Sequence, residues 1–282
     1  MLDYEKEADG YDASRGGEAR AEAAAHAVLG LIPAGPGRLL DLACGTGIVT
    51  RRLAAARPGL RVTGADLTPA MVRMASARLP GAIVRADSRR LPFPDGTFDA
   101  VASIWLLHLL HDPEDVRAVV AECARVLRPG GVYVTTVDKA SAHDVGSDID
   151  AVLAPRPRRP APDAAGTVTA QATRSGLRPA GHAVFPGTGQ GRSPRDTIAD
   201  LRRGWFTVLP PGEPRTERFA ARLAELPDQD RPRPDPRFGV RAFRKPASGR
   251  RSGDTASQGG DSPAHGDEGA ADGGDAAAAD GN

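Results

Sequence analysis

The chain has 282 residues, 40% of them hydrophobic, so it is long enough to bury one good-sized core and to carry appendages. Its 37 Lys and Arg residues nearly balance its 36 Asp and Glu residues, which argues against nucleic acids and anionic membranes as partners. Cys44 and Cys123 are too few for a disulfide framework and fit a reducing compartment. The N-terminal residues are charged and no run of about 20 apolar residues follows, so we expect neither a secretory signal nor a membrane span. These features predict a cytoplasmic protein that acts on small molecules.

Short apolar runs alternate with helical patterns in the first half of the chain, which is typical of βαβ units and a parallel sheet. The expected strands are 37–43, 61–66, 82–87, 98–105 and 131–137. Between the last two strands, apolar residues from Val116 to Leu127 recur at helical spacing, and Pro113 suits the first turn. This pattern predicts an amphipathic helix that covers the sheet.

The second half of the chain is less regular. Residues 140–237 are rich in Pro and Arg, with one further strand expected at 180–185. Helices are expected near 143–153, 163–175, 194–206 and 215–225. Residues 238–245 alternate and predict a final strand, so the sheet should close with an interrupted C-terminal hairpin. From residue 248 onward no apolar side chain is larger than Ala, which predicts a disordered tail.

The stretch "LLDLACGTGIVTRRLA", from Leu39 to Ala54, joins an expected strand to an expected helix. Gly45 and Gly47 would let the backbone turn tightly and approach a ligand, while the helix would point its first N–H groups at that ligand. A pair of glycines does not by itself distinguish one nucleotide from another.

Neighbouring residues narrow the choice of nucleotide. Asp66 ends the second strand 21 positions after Gly45, where a carboxylate can accept both ribose hydroxyls. Thr50 stands where a dinucleotide motif has its third glycine. Asp41 precedes the turn, where its charge would repel a pyrophosphate and attract an ammonium group.

Four motifs in order carry a resemblance to a known family. They are "LLDLACGTG", "VTGADLTPAMVRMA", "RADSRRLPFPDGTFDAV" and "SIWLLHLLHDPEDVRAVVAECARVLRPGG". Together they resemble the small-molecule type of class I S-adenosylmethionine-dependent methyltransferases, densely over residues 1–140 and loosely over 238–245. The resemblance implies an α/β, Rossmann-like fold whose seven-stranded, mainly parallel sheet has helices on both faces and a small helical cap. The implied segments are an N-terminal helical lid (1–35), the cofactor-binding core (36–139), a substrate-cap insertion with late core elements (140–237), the final strand (238–246) and the disordered tail (247–282).

The resemblance also implies roles for individual residues toward S-adenosylmethionine. Asp41 would hold the methionyl ammonium through the loop from Ala43 to Gly47, which contains Gly45. Asp66 would bind the ribose hydroxyls. Leu67 would flank the adenine, Asp87 and Ser88 would read its edge, and Ile104 would end the wall beneath the sulfonium. In the lid, Tyr11 would lie near the methionine part and Arg15 would pair with its carboxylate. Many family members have glycine at position 43, and Ala there is a mild change if its φ is negative.

The acceptor side is less defined. His108 follows the fourth strand and is the candidate base, although packing or capping roles for His108 and His111 stay open. The cover residues Phe185, Trp205, Phe206 and Val208 could line an apolar pocket or pack in a core. No metal site is expected, because the acids of "HDVGSDID" (143–150) suit helix caps and solvated charge.

The expected function is methyl transfer from S-adenosylmethionine to an O, N or C atom of a small molecule such as a secondary metabolite. The sequence does not distinguish a monomer from a homodimer. Three alternatives remain: a peptide or protein methyltransferase, a non-catalytic cofactor-binding subunit, and an NAD-dependent dehydrogenase. Asp41 and the missing third glycine argue against the dehydrogenase.

The composition of the tail leads to a first prediction. Deleting residues 248–282 should leave the melting temperature and the cofactor affinity nearly unchanged, because such a segment contributes no apolar contacts. Calorimetry of the full-length and shortened chains tests this, and a large loss of either quantity would contradict the tail assignment.

Overall fold

The computed structural model describes residues 5, 10–13, 15–35, 37–154, 161–204 and 209–247. Outside the described residues lie the expected tail and three of the expected cover residues, Trp205, Phe206 and Val208. Within the described ranges, none of the helices combines the length and apolar character that a membrane crossing requires.

Helices and strands alternate through most of the chain. In order they are α1 (Gly17–Leu29), β1 (Gly37–Leu42), α2 (Ile48–Ala56), β2 (Leu60–Asp66), α3 (Pro69–Arg78), β3 (Ile83–Arg85), β4 (Phe98–Ser103), α4 (Pro113–Val126), β5 (Leu127–Val137), α5 (Lys139–Ala142), α6 (Asp148–Leu153), α7 (Ala165–Arg174), β6 (Arg178–Pro186), α8 (Pro194–Arg202), α9 (Pro214–Ala224) and β7 (Arg237–Arg244). A short 3₁₀ turn, Leu107–Leu109, follows β4.

The strands form one seven-stranded sheet in the order β3-β2-β1-β4-β5-β7-β6. The five strands from β3 to β5 are parallel, whereas β7 runs antiparallel to both of its neighbours, β5 and β6. The predicted mainly parallel sheet and its C-terminal hairpin are therefore confirmed. Because the order reverses between β1 and β4, a crevice opens at their carboxyl ends, and ligands of such sheets bind there.

Helices cover both faces of the sheet, as predicted. Side chains of α1 and α2 pack with one face of the central strands, and side chains of α4 and α7 pack with the other. Leu39 and Leu40, neighbours in β1, are fully buried on opposite faces, as expected for a parallel strand between two helical layers. Although α1 lies within the segment expected to form a lid, its alanine-rich face packs on the sheet.

A small separate cluster holds the cap helices α6, α8 and α9 together. Its buried members are Ile149, Val152, Leu153, Leu201, Leu209, Phe219 and Leu223. Local hydrogen bonds fix where α6 begins, because Ser147 Oγ accepts from the backbone N–H of Asp150 and the Asp150 carboxylate accepts from that of Ser147. The acid-rich segment 143–150 thus contains a helix cap, in agreement with the sequence-based interpretation.

The turn after β1 does not give Ala43 the negative φ under which alanine would be a mild replacement for glycine. Its φ is 56°, in the left-handed region that costs a residue with a Cβ about 1–2 kcal/mol. Alanine at this position is therefore strained rather than a mild replacement for glycine.

Replacing Ala43 with Gly should raise the free energy of unfolding by about 0.5–1 kcal/mol. The relief of left-handed strain exceeds the entropy that glycine adds to the unfolded chain. Urea unfolding at fixed pH measures the difference.

Ala55→Gly, in the exposed part of α2, is the matched control. It should destabilise the protein by about 1 kcal/mol, because the helix gains nothing from a glycine. Equal losses in the two variants would contradict the assignment of strain to Ala43.

Candidate functional site

A cavity of about 260 Å³ opens at the carboxyl ends of β1, β2 and β4. Most of the site residues expected from the sequence line it, namely Tyr11, Asp41, Ala43, Gly45, Asp66, Leu67, Asp87, Ser88 and Ile104. Arg15, Gly47 and His108 are not part of its lining. The topology therefore brings together residues that lie up to 93 positions apart in the chain (104 − 11).

Glycine suits the two positions of the turn for different structural reasons. At Gly45 a Cβ would meet nothing within 4 Å, so the backbone there is open to a ligand. At Gly47, φ is 78° and a Cβ would lie 2.9 Å from the Cβ of Ala75 in α3. Gly47 thus permits the close approach of two helices, and the cavity is formed by its neighbours.

Asp41 is a buried carboxylate at one end of the cavity, with 2% of its surface exposed. Thr50, at the missing third glycine position, donates a hydrogen bond from Oγ1 to Asp41 Oδ2 over 2.6 Å. Burial raises the pKa of Asp41 to about 7, the Thr50 hydrogen bond opposes this rise, and the nearby charge of Asp66 adds to it. A cationic group in the cavity would relieve this cost by restoring the ionised carboxylate.

Asp66 fixes the turn from the neighbouring strand. Its Oδ2 accepts from the backbone N–H of Gly45 over 2.8 Å, and its Oδ1 accepts from that of Thr68 over 2.9 Å. Each carboxylate oxygen has a second lone pair, so Asp66 can still accept hydrogen bonds from two ligand hydroxyls. A vicinal diol such as a ribose matches this arrangement.

An ion-pair network also lines the cavity. Arg89 Nη2 lies 2.7 Å from Asp87 Oδ2, and Arg89 Nη1 lies 3.1 Å from Asp115 Oδ1. The hydrogen bonds from Arg89 lower the pKa of Asp87, which stays ionised beside Ser88. Arg89, on a turn, and Asp115, in the first turn of α4, were not predicted, because charged residues at such positions carry no signal in a single sequence.

Apolar side chains form the remaining wall. Those not predicted from the sequence include Ile48, Val49, Met71, Trp105, Leu106, Leu109 and Leu110. Leu67, which was predicted, is 53% exposed, an unusual position for a large apolar side chain. Such a surface can cover the face of a flat ring.

His108 lies in the 3₁₀ turn, half-buried and outside the cavity lining. Burial, together with the charges of Lys139 and Arg15, lowers the pKa of His108 well below its ordinary value, so the imidazole is neutral at neutral pH. Cys44 lines the cavity, but burial raises the pKa of its thiol, which excludes a resting thiolate. Within the described ranges, no three His, Cys, Asp or Glu side chains converge as a metal site requires.

The set of groups in the cavity fits S-adenosylmethionine. A buried carboxylate can face an ammonium, a second carboxylate can face a ribose, and an exposed backbone turn and an apolar wall lie beside them. The pyrophosphate of a dinucleotide would instead face Asp41 and Asp66, which is electrostatically unfavourable.

Known proteins agree with this chemistry. Residues 40–135 match the model of a methyltransferase domain family. The chain is 44% identical over 104 residues to the demethylmenaquinone methyltransferase of Thermus thermophilus, covering 35% of this chain and 46% of that protein. It is 38% identical over 110 residues to the 27-O-demethylrifamycin SV methyltransferase of Amycolatopsis mediterranei, covering 36% of this chain and 39% of that protein. The chain therefore spans less than half the length of these curated relatives.

The whole fold also has a counterpart among solved structures. A SAM-dependent methyltransferase from Thermotoga maritima superimposes with a TM-score of 0.50 at 15% identity, covering 86% of this chain and 98% of that one. At this identity the likeness concerns the fold alone. Residues 40–135 thus match a methyltransferase domain family, and the chain shares the Rossmann-like fold of a solved S-adenosylmethionine-dependent methyltransferase.

Proposed function

We propose that this chain transfers the methyl group of S-adenosylmethionine to a nucleophilic atom of a small molecule. The observation that carries the proposal is the pair of carboxylates, Asp41 and Asp66, beside the open backbone of Gly45 in one cavity. The curated relatives named above, which by their names act on demethylmenaquinone and a rifamycin, support a small-molecule acceptor.

The residues of the chain mainly bind and orient. Asp41 would hold the methionyl ammonium, Asp66 the ribose hydroxyls, and Leu67 one face of the adenine. When bound, the cofactor supplies a methyl group already activated by a sulfonium. The protein therefore needs to align an acceptor lone pair with that methyl at about 3 Å and to exclude water, which the apolar wall near Ile104 favours.

His108 remains the candidate base for an acceptor that carries a proton. Its neutral imidazole can accept that proton at neutral pH, and it follows Trp105 and Leu106, which line the cavity, by three and two positions in the chain. A peptide acceptor and a non-catalytic subunit are the competing functions, and the next experiment separates both from the proposal.

Methyl transfer is tested with S-adenosylmethionine labelled in its methyl group and extracts separated into small molecules and proteins. Label should enter the small-molecule fraction. Asp66→Ala should weaken S-adenosylhomocysteine binding by about 1–3 kcal/mol, because buried hydroxyls lose a charged acceptor, and should reduce labelling. Calorimetry measures the affinity.

Asp95→Ala is the matched control, because Asp95 is an exposed acid paired with Arg125 and is not part of the cavity lining. Its affinity and labelling should equal those of the unaltered chain. Label in proteins would indicate a peptide acceptor, intact binding without transfer a non-catalytic subunit, and binding of NADH but not S-adenosylhomocysteine a dehydrogenase.

The raised pKa of Asp41 predicts that cofactor affinity depends on pH. Below about pH 7, S-adenosylhomocysteine should bind progressively more weakly, approaching about tenfold per pH unit, because the protonated carboxyl no longer attracts the ammonium. Calorimetric titrations at about pH 8, 7 and 6 measure this slope.

Asp41→Asn is the control, since it keeps an oxygen for Thr50 but cannot ionise. Its affinity should be weak and nearly independent of pH over this range. The folded pKa of Asp41 exceeds its ordinary value, so the cofactor-free protein loses stability as pH rises toward 7. At about pH 8 the variant without cofactor should therefore be more stable, on the order of 3 kcal/mol, and a less stable variant would contradict the burial cost assigned to Asp41.

A further inference from the structure

Arg20 of α1 is a buried cation next to the cofactor cavity. Only 5% of its surface is exposed, and its guanidinium carbon lies 4.1 Å from the ring centroid of Trp105. Trp105 lines the cavity. Within the part of the chain that the structure describes, no carboxylate lies within ion-pair distance of Arg20, and the charge of Asp12 acts on it only from farther away.

Two buried nitrogens of this contact and one of the 3₁₀ turn that follows Trp105 have no hydrogen-bond partner among the described residues. They are Nε of Arg20, Nε1 of Trp105 and Nδ1 of His108. The first two are N–H donors, and the third becomes one in the matching tautomer. Buried donors are normally satisfied, so this set indicates an acceptor atom supplied by a ligand.

Lys139 adds a second cation on the same side. Burial and the nearby charges of Arg15 and Arg192 lower the pKa of Lys139 to about 8, while Asp163 opposes the decrease. Asp163 already accepts from the backbone N–H of Lys139 over 2.8 Å. Within the described ranges, no hydrogen bond or ion pair engages the Lys139 ammonium.

Among the described residues, Asp12 acts on Arg20 and Asp163 acts on Lys139 only from beyond ion-pair distance. Burial raises the pKa of Asp163 and of Asp200 above the ordinary value of an aspartate. Asp200 also pairs with Arg203 at 3.3 Å. Arg20 and Lys139 are thus two cations, one buried and one half-buried, that have no ion-pair partner among the described residues.

The cations and the cofactor carboxylates lie near different strands along the sheet. Asp41 and Asp66 belong to β1 and β2, whereas Trp105 follows β4 and Lys139 follows β5. Since β4 lies between β1 and β5, the cations lie on the side of the cavity away from Asp66. An acceptor that approaches the methyl group from that side would meet them.

We propose that the acceptor carries an oxyanion, either a carboxylate or a phosphate. Arg20 and Lys139 bind this oxyanion beside the indole N–H of Trp105. This inference rests on the proposed function and narrows its substrate class. The bound anion would pair with the charges of Arg20 and Lys139 and supply acceptors for the buried nitrogens of Arg20, Trp105 and His108. The methionyl carboxylate of the cofactor is the other source of the same chemistry, and the experiment distinguishes the two.

The test uses the full chain saturated with S-adenosylhomocysteine and titrated calorimetrically with benzoate, its neutral analogue benzamide, and inorganic phosphate. Benzoate and phosphate should bind saturably at millimolar concentration, with benzamide weaker by about tenfold or more. Arg20→Gln and Lys139→Met should each weaken anion binding by about tenfold, the loss expected for one charged hydrogen-bond donor.

Arg202→Gln is the matched control, an exposed cap arginine that pairs with Glu217. It should bind the anions as the unaltered chain does. Two variants are used so that a folding defect in one leaves the other informative, and circular dichroism checks both.

Equal binding of benzoate and benzamide, no saturable anion binding, or unchanged anion binding in both variants would overturn the inference. So would variants that weaken S-adenosylhomocysteine but not methylthioadenosine, which lacks the amino-acid part, because the site would then hold the cofactor carboxylate. If the unaltered chain binds anions but not S-adenosylhomocysteine, the proposed function fails instead.

Discussion

The turn between β1 and α2 is the constraint on which the site depends. Ala43, Gly45 and Gly47 all have positive φ, so the chain reverses within five residues and leaves the backbone of Gly45 open. Asp66 holds this turn from the adjacent strand through the Gly45 N–H. The carboxylate at the end of β2 therefore has a structural task even before a ligand binds. The turn after β1, one of the two strands beside the reversal in sheet order, is thereby tied to β2 at the edge where the cavity opens.

Sequence reasoning succeeded where periodicity and motif order carried the information. All seven strands were expected, and the lining of the cavity includes most of the residues that the motifs implied. It failed where tertiary contacts decide. The φ of Ala43 depends on the complete turn, and the reason for Gly47 is the methyl group of Ala75, a residue 28 positions away (75 − 47). The cluster around Arg20 left no signal, because a lone Arg in an alanine-rich helix resembles a surface residue.

Buried charge is the second theme of the molecule. Asp41, Arg20 and Lys139 are each held in surroundings that disfavour their charged forms. Such groups reduce the stability of a ligand-free protein, which must be compensated by the apolar layers on both faces of the sheet. Asp41 lies near the end of β1, Lys139 follows β5, and Arg20 of α1 contacts Trp105, which follows β4. The crevice therefore has an electrostatic polarity along its length, which would orient a pair of ligands of opposite charge.

Trp105 lies between the part of the crevice near Asp41 and the part near Arg20 and Lys139. The backbone of Trp105 is in the left-handed region, with a φ of 61°, and its backbone N–H donates to Thr136 Oγ1 over 2.8 Å. One face of the residue borders the cavity and its ring contacts Arg20 and Phe238. A ligand that displaces the indole from either side changes the surface offered to the other ligand. The two binding events are then thermodynamically linked, and each alters the affinity for the other by the same factor.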